Sequence, residues 1–501
     1  MKVFNIKYLA AGGLLALSLA SCKKELEKFP TSSIALEQSF ESVRDARSWN
    51  NGLYSRLRGR FYGIYAYTQD IQGDQLNATI DFGNRNGFPH RWEGFEATEG
   101  NINSIWIGYY SGITNANLMI DGFKEITPAN ATETADLNRY KGDAYAVRAY
   151  YYHELVKRFA KPYNPTTAAS DEGVPIVLVY DVFAKPARAS VKAVYDQVLS
   201  DLGQAKTLLA GVAGAQGSTR FTIDGINALE ARVKLDMQDW AGAKAAADAV
   251  IATGKYPLIN TQAAYTAYWH GDTKQEDIMQ LAVVNTTETP NTNAIYIGLR
   301  TNDNTFRPDF LPSQWVVDEY DAADIRKSVY FATKPGNFTS GTGNITIVNK
   351  YPGNPVLFTG ATTNYQHAPK FFRIAEMYLI SAEAGARSGN AAMGVDALIK
   401  LNQLRAARGL TTPLVGLTGA ALFDEVKKER FRELAFEGFR LWDLKRWNEG
   451  FTRKAPQNPN FLTVGTGYTT LAIAAGNPKF AWGLPSNDVT INPNLKQNQG
   501  W

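Results

Sequence analysis

"ERFRELAFEGFRLWDLKRW", residues 429–447, alternates charge and apolar bulk at helical spacing. Arg430, Arg432 and Arg440 interleave with Glu429, Glu433 and Glu437 at three- and four-residue intervals, while Phe431, Leu434, Ala435, Phe439 and Trp442 fill the opposite side. Exposed pairs of this kind contribute a few tenths of a kcal/mol each. On a half-buried helix the same residues hold neighbouring elements through forked hydrogen bonds. These carboxylates therefore read as structural, not catalytic.

Working outward, residues 371–447 hold three long helical patterns: "RIAEMYLISAEAGARSG", "GVDALIKLNQLRAARGL" and "LFDEVKKERFRELAFEGFRLWDLKRW". Gly389 and Gly409 stop the first two. Upstream, Leu137, Ala144, Val147, Tyr151, Leu155 and Phe159 recur at spacings of three, four and seven over residues 134–160. Ser190 is placed as the N-cap of a further helix carrying Val194, Val198, Leu202 and Ala205. Residues 222–258 read as two helices joined at "MQDW", with Ala228, Ala231, Ala241, Ala245 and Ala249 at close crossings, as in a tetratricopeptide unit. An ordinary helical hairpin is the plainer alternative. Between these blocks, residues 58–105, 257–370 and 448–501 are rich in Gly, Asn, Thr and Pro, with short β-like runs such as "NITIVNKY". Loops this long usually carry function, so the helices read as their scaffold.

The other end is equally specific. Lys2 and Lys7 precede the apolar run Tyr8–Ala20, followed by Ser21 and Cys22, the chain's one cysteine. Thirteen helical residues reach roughly 20 Å, short of the roughly 30 Å hydrocarbon core, so the run is an export signal and not a spanning helix. Leu19-Ala20-Ser21-Cys22 resembles the bacterial lipobox, which implies lipidation at Cys22 and an acyl anchor. An ordinary signal peptide with an incidental cysteine is the rival. Removing Lys2 and Lys7 with the signal lowers Lys plus Arg from 52 to 50 against 48 acids. A nearly neutral body without a concentrated basic stripe argues against nucleic acid as a partner.

The late helices also carry a family resemblance. Arg373, Ala375, Glu376, Tyr378, Leu379, Ala382 and Glu383, then Asn402, Arg405, Arg408 and Gly409, then Glu429, Arg430, Glu433, Leu434, Glu437, Gly438, Arg440, Asp443, Leu444, Lys445, Arg446 and Trp447 closely resemble the SusD/RagB family of outer-membrane nutrient-binding lipoproteins. The ending "LPSNDVTINPNLKQNQGW" and the helix with Trp106, Tyr110, Ile113, Asn117 and Ile120 resemble it too. The resemblance implies a mainly α, SusD-like fold: tetratricopeptide-like helical pairs, long irregular loops, and a few short β-strands forming the ligand face. It divides the chain into a lipoprotein signal peptide (1–21), a lipidated tether (22–39), an N-terminal half with the tetratricopeptide-like helices (40–260) and a C-terminal half (261–501) of a single globular unit. It implies a lipid-anchored protein on the extracellular face of the outer membrane. There it would capture a nutrient oligomer, expected to be an oligosaccharide, for a SusC-like TonB-dependent transporter facing its tetratricopeptide-like helices. Peptide capture is the alternative and a surface glycoside hydrolase the third reading. No cofactor or metal is implied.

Chemistry read from the residues agrees with binding. His90, His153, His270 and His367 are scattered without metal-ligand spacing, and P-loops and nucleophile elbows are missing. Sugar rings stack their C–H faces on aromatics while hydroxyls meet Asn, Asp and Arg. The loop blocks offer Asp74, Asn77, Arg85, Trp92 and Asn101, and elsewhere Tyr65, Trp269, Tyr296 and Trp315, as ligand-binding candidates. No catalytic residue is assigned.

Overall fold

The computed structural model describes residues 36–61, 63–285, 288, 293–357 and 366–501. The signal peptide 1–21, Cys22 and most of the tether lie outside the described residues. Helix α1 (Val43–Gly59) opens on a reciprocal cap, Ser42 Oγ accepting from the Asp45 amide while the Asp45 carboxylate accepts from the Ser42 amide. Short α2 (Ile64–Gln72), strand β1 (Leu76–Ala78) and α3 (Gly87–Arg91) lead to α4 (Gly100–Gly122). Asn130 caps the 29-residue α5 (Ala131–Phe159), which is enclosed almost all round from Gly142 onward. Where α4 crosses it, a Cβ on Gly112 would fall 2.3 Å from the Tyr151 ring, so glycine sets the approach.

Helix α6 (Val191–Leu208) starts where expected, the Ser190 side chain accepting from the Ala193 amide. The 222–258 pattern forms α7 (Ile223–Asp236) and α8 (Trp240–Ile251) around the turn at Met237–Asp239, with Gln238 at φ 61°. Then come α9 (Gln262–His270), β2 (Asp277–Gln280), α10 (Asn293–Tyr296), β3 (Leu299–Arg300), β4 (Thr305–Phe306), β5 (Phe310–Pro312), α11 (Gln314–Asp318) and α12 (Lys327–Tyr330). After them run β6 (Phe331–Phe338), β7 (Gly341–Val348) and β8 (Lys370–Arg373), followed by α13 (Ile374–Arg387), α14 (Ala391–Ala407), α15 (Gly419–Leu434) and α16 (Arg440–Trp447). Strands β9 (Phe451–Thr452) and β10 (Ala472–Ile473) and helix α17 (Ser486–Ile491) complete the chain.

Helical pairs stack in sequence. Helix α5 packs on α6, α6 on α7, α7 on α8, α8 on α13, and α13 on α14 and α15. Small buried residues permit the crossings: Ala228 and Ala231 on α7 as expected, Ala243 and Ala247 on α8, and Ala382 and Ala384 on α13, whereas Ala241, Ala245 and Ala249, expected at the crossings, lie on the exposed face of α8. This is the mainly helical scaffold expected. The strands stay short: β6 and β7 form a hairpin with Phe331 opposite Val348, β4 joins β6 in parallel, β1 pairs with β5, and β2 with β8.

One expectation is corrected. The pattern ending in "LAFEGFRLWDLKRW" is not one helix, because the chain breaks at 435–439, where Phe436 takes φ 63° and Gly438 φ 79°. Side chains from elsewhere hold the break open: Lys350 Nζ donates to the Ala435 carbonyl at 2.9 Å and the Glu437 carboxylate at 2.7 Å, and Asp70 accepts from the Gly438 amide at 3.1 Å. Those bonds replace the helical ones the break gives up.

Before the break sits Glu433, fully buried. Its carboxylate accepts from Arg408 Nε (2.9 Å) and Nη2 (3.0 Å), Arg373 Nη1 (2.8 Å) and Arg326 Nη1 (3.1 Å). Neighbouring Glu429 takes Arg326 and Arg432, and Glu276 takes Arg408. Burial alone would raise Glu433, but the Arg408 guanidinium, then Arg373 and Arg326, hold it well below the usual carboxylate range. Tyr265 of α9 also donates to Glu433 at 3.3 Å, so the cluster ties α9, α12, α14 and α15 to β8.

Candidate ring-lined site

The turn at 435–439 is one wall of a ring-lined cleft. The adjoining wall is α2 with the residues just before it, which present Phe61, Tyr65 and Tyr67, all half-buried. Nine residues cannot hold a helix unaided, and α2 is kept by Asp70, whose carboxylate accepts from the Gly438 amide and from the Tyr296 hydroxyl (3.3 Å). Its extension through Gly73 places Asp74 on Arg440 (2.7 Å) and Asn77 on Ser313 (2.7 Å). Thus α2 and β1 are clamped between the 435–440 turn and β5.

Rings line the floor: Trp269, Tyr296, Phe371 and Phe436 are buried, and Tyr351 stands at the side, stacked on His367 with ring centres 4.6 Å apart. The Trp269 faces are covered by cations, with Lys350 Nζ 4.2 Å and the Arg373 guanidinium 5.1 Å from the ring centre. The charged lining is paired within the protein: Arg158 and Lys157 with Glu154, Arg232 with Glu376 (2.6 Å), Arg373 with Glu437 (2.6 Å), and Lys370 with Asp272 (3.4 Å). Burial would raise Glu154 and Glu376, yet Arg158 and Lys157 hold the first, and Arg232 the second, below the usual carboxylate range. Burial lowers Lys350 to about 8 against the pull of Glu437, and raises Asp70 to about 8 despite the Gly438 amide. Asp70 stands behind the lining rather than in it.

Of the nine candidates, the fold brings Tyr65, Trp269 and Tyr296 together in this cleft. Asp74 and Asn77 lie in the adjoining clamp, both buried. Arg85, whose side chain is 56% exposed, donates to Asp309, and Asn101, in the first turn of α4, donates to Asn86 Oδ1 at 2.6 Å; neither lines the cleft. Trp92 is in the core at 8% exposure, edge-on to Phe451 and Phe480, and its Nε1–H donates to the Gln72 carbonyl. That packing leaves no face for an incoming ring, which sequence alone does not reveal because the Trp sits in a Gly- and Asn-rich stretch. Trp315 stands apart from the cleft, one face on Phe431 (4.8 Å) and the other under Lys454 Nζ (4.5 Å). Tyr67, Gln69, Tyr351 and His367 were not singled out by the sequence reading. The density of tyrosines in "YGIYAY" is the signal that marks the first.

Among the described residues no group of three or more His, Cys, Asp or Glu side chains could hold a metal ion, and no helix is long and apolar enough to cross a membrane.

Comparison with known proteins agrees with the fold. A family model described as "SusD family" matches residues 332–501, and one described as "Starch-binding associating with outer membrane" matches residues 29–235. SusD-like protein P38 of Formosa agariphila is 26% identical over 544 residues, covering 96% of each chain. A SusD superfamily protein from Bacteroides thetaiotaomicron superposes with TM-score 0.77 at 25% identity, over 91% of this chain and 99% of that one. A putative sugar binding protein from Bacteroides vulgatus gives 0.74 at 23% identity, over 92% and 99%. With both ends of the chain matched and the same helical scaffold beneath them, the protein belongs to the SusD/RagB family.

Proposed function

We propose that this protein is a surface binder that holds an oligosaccharide in the ring-lined cleft and passes it to a SusC-like TonB-dependent transporter, anchored to the outer membrane through lipid on Cys22. The observation that carries the reading is a cleft with half-buried rings at its edge and charges already neutralised by one another in its walls. Such a surface attracts flat, uncharged, hydroxylated ligands and repels none of them through a stranded charge. The starch-binding description of the N-terminal family model, and the relative named for sugar binding, support a carbohydrate over a peptide.

Catalysis does not fit the same walls. A glycosidase needs one carboxylic acid held protonated and a second carboxylate facing it across the bond. In the cleft Glu154 and Glu376 are held toward their anionic forms by arginine, Glu437 is bonded by Arg373 and Lys350, and Asp70, which burial pushes toward its protonated form, stands behind the lining. Binding through stacking and a few hydrogen bonds should fall in the micromolar to millimolar range, about −4 to −8 kcal/mol. Calorimetry against a panel of neutral oligosaccharides, with chromatography of the recovered ligand, tests this. Intact oligomer bound at those affinities is expected; released shorter products would overturn the reading.

A further inference from the structure

The loop between α5 and α6 carries an apolar ridge. Of the fifteen exposed large apolar side chains among the described residues, five fall within residues 178–183, and Ile107 of α4 and Ile491 of α17 stand at the ridge's foot, in one groove with Val177, Ala184 and Pro186. That concentration marks a contact surface rather than scattered exposure. The apex is a turn closed by the Ala184 amide on the Asp181 carbonyl, which puts Val182 and Phe183, 66% and 87% exposed, at its two corners. Turn corners ordinarily go to Gly, Pro, Asn, Asp or Ser. Both roots are fixed. The Val177 carbonyl accepts from Asn117 Nδ2 (2.9 Å) and the Tyr152 hydroxyl (2.7 Å), the Lys185 carbonyl from Asn494 Nδ2 (2.7 Å), and the Pro186 carbonyl from Asn492 Nδ2 (2.9 Å). The fold thus holds an apolar tip out into solvent on two pinned limbs.

Resting on the reading of a lipid anchor at Cys22, we infer that the 178–183 ridge dips into the lipid surface of the outer membrane and seats the body there. The reach of the chain supports this. Phe40 packs edge-on to Phe123 with ring centres 6.0 Å apart, and a Cβ on Gly122 would strike its ring, so the chain toward Cys22 leaves the body at the C-terminal end of α4. Asn117, which pins the ridge's root, is about 8 Å back along that helix at about 1.5 Å per residue. Leu36 is fourteen residues beyond Cys22, at most roughly 50 Å of chain. The ridge therefore lies within a tether's length of the acylated residue. Chemistry selects lipid over a protein partner. From 178 to 184 the one charged side chain is Asp181, and its carboxylate accepts from the Phe183 amide at 2.8 Å. A protein interface wants a polar rim, which the ridge does not offer; the boundary between headgroups and acyl chains asks for none. Tyr180 joins an apolar ring to a wet hydroxyl, and Lys185, exposed just past the apex, places an ammonium where lipid phosphates would lie.

The test uses the full-length lipidated protein. With the Cys22 sulfur carrying lipid, an introduced cysteine is the one free thiol, so Val179→Cys, Phe183→Cys and, as a comparably exposed control on the α14–α15 loop, Val415→Cys each take a single environment-sensitive fluorophore. Each is reconstituted into phosphatidylethanolamine–phosphatidylglycerol vesicles containing a nitroxide-labelled lipid, and compared in native outer membranes. The probes at 179 and 183 are expected to shift to the blue and to be quenched by the nitroxide, while the probe at 415 emits as in water. Adding Val182→Asp and Phe183→Asp to the Val179→Cys protein is expected to abolish the quenching, which keeps the result from being the fluorophore's own affinity for lipid. Ridge probes as wet as the control overturn the inference and leave the anchor standing. A blue shift without nitroxide quenching also overturns it: confined to native membranes it names a protein as the cover, and rising with protein concentration it names a second copy of the chain. If Cys22 of the parent protein itself takes the fluorophore, the sulfur carries no lipid, and the anchor reading falls together with the inference.

Discussion

The Glu433 cluster and the cleft share Arg373 and Glu437, yet they spend polar groups in opposite ways. In the cluster every carboxylate oxygen of Glu433 is met by arginine, and the groups come from four separate stretches of chain. In the cleft, ions that neutralise one another share the lining with half-buried rings whose surface stays partly open. A fully satisfied polar network fixes neighbouring elements in one arrangement, whereas partly open ring surface leaves area for something else to cover. The difference separates what holds the protein together from what it can bind.

The sharpest way to break the comparison is to strip the cluster. Glu433→Ala leaves Arg326, Arg373 and Arg408 buried without their shared anion, and removing one partner of a buried ion pair typically costs about 3 to 5 kcal/mol. Chemical denaturation should show a loss of that size. A loss below about 1 kcal/mol would mean that the arginines find water or other carboxylates, and that the cluster is not what holds α9, α12, α14 and α15 together. Trp92→Ala comes next. Its indole packs on Phe451 and Phe480 and donates to the Gln72 carbonyl, so truncation should cost about 3 kcal/mol of stability, the lower end for a buried tryptophan. Weakened ligand binding with unchanged denaturation would restore Trp92 to the binding surface that the loop sequence suggests.

These two residues also mark how far the sequence is legible. The helical spacing of 429–447 holds on either side of the break at 435–439, and caps such as Ser190 and stops such as Gly389 and Gly409 fall where local chemistry puts them, because each rests on contacts within a few residues. The partners do not follow from spacing. Among Glu429, Glu433 and Glu437, the short-range pair formed is Arg432 with Glu429; the rest reach to Arg326, Arg373, Arg408 and Lys350, between 25 and 107 residues away. The break at Phe436 is hidden for the same reason, since Asp70 and Lys350 make it. Aromatic residues in the stretches between the long helices are the least legible of all. Tyr65, Trp269 and Tyr296 gather in one cleft while Trp92 and Trp315 turn away, and no local pattern distinguishes the two groups.

A third experiment contrasts the two regions by pH. The Glu433 carboxylate is held below its ordinary range, so the stability it contributes is present above that range and is lost as pH falls. Asp70 has the opposite sign. Burial raises it from 3.8 to about 8, so its contribution is complete below the unfolded value and is lost as pH rises through the folded one. Between about pH 4 and pH 8 the slope from Asp70 is at most about 1.4 kcal/mol per pH unit, flattening above 8. Asp70→Asn can still accept from the Gly438 amide and Tyr296, so it should remove this slope while leaving the acid limb in place. A stability profile that keeps its alkaline decline in the variant would show that Asp70 is ionised in the native cleft wall.

The smallest effect probes the cleft's edge. Tyr67 is half-buried on the cleft wall, its hydroxyl raised to about 12 by burial and by Glu99 and Asp309, so it stays neutral under any ordinary condition. Its ring is only partly enclosed, against the apolar cluster that includes Tyr296 and Phe310, so Tyr67→Ala should cost well under the loss expected at Trp92. If the ring is a stacking platform, its removal should cost about 1 kcal/mol of binding, roughly fivefold in Kd, with a denaturation curve close to that of the parent. Binding and stability would then separate at Tyr67 and coincide at Trp92, two aromatics 25 residues apart on the same stretch of chain. If instead Tyr67→Ala unfolded the protein as readily as Trp92→Ala, the cleft edge would belong to the frame, and the division between holding and binding would have to be drawn elsewhere.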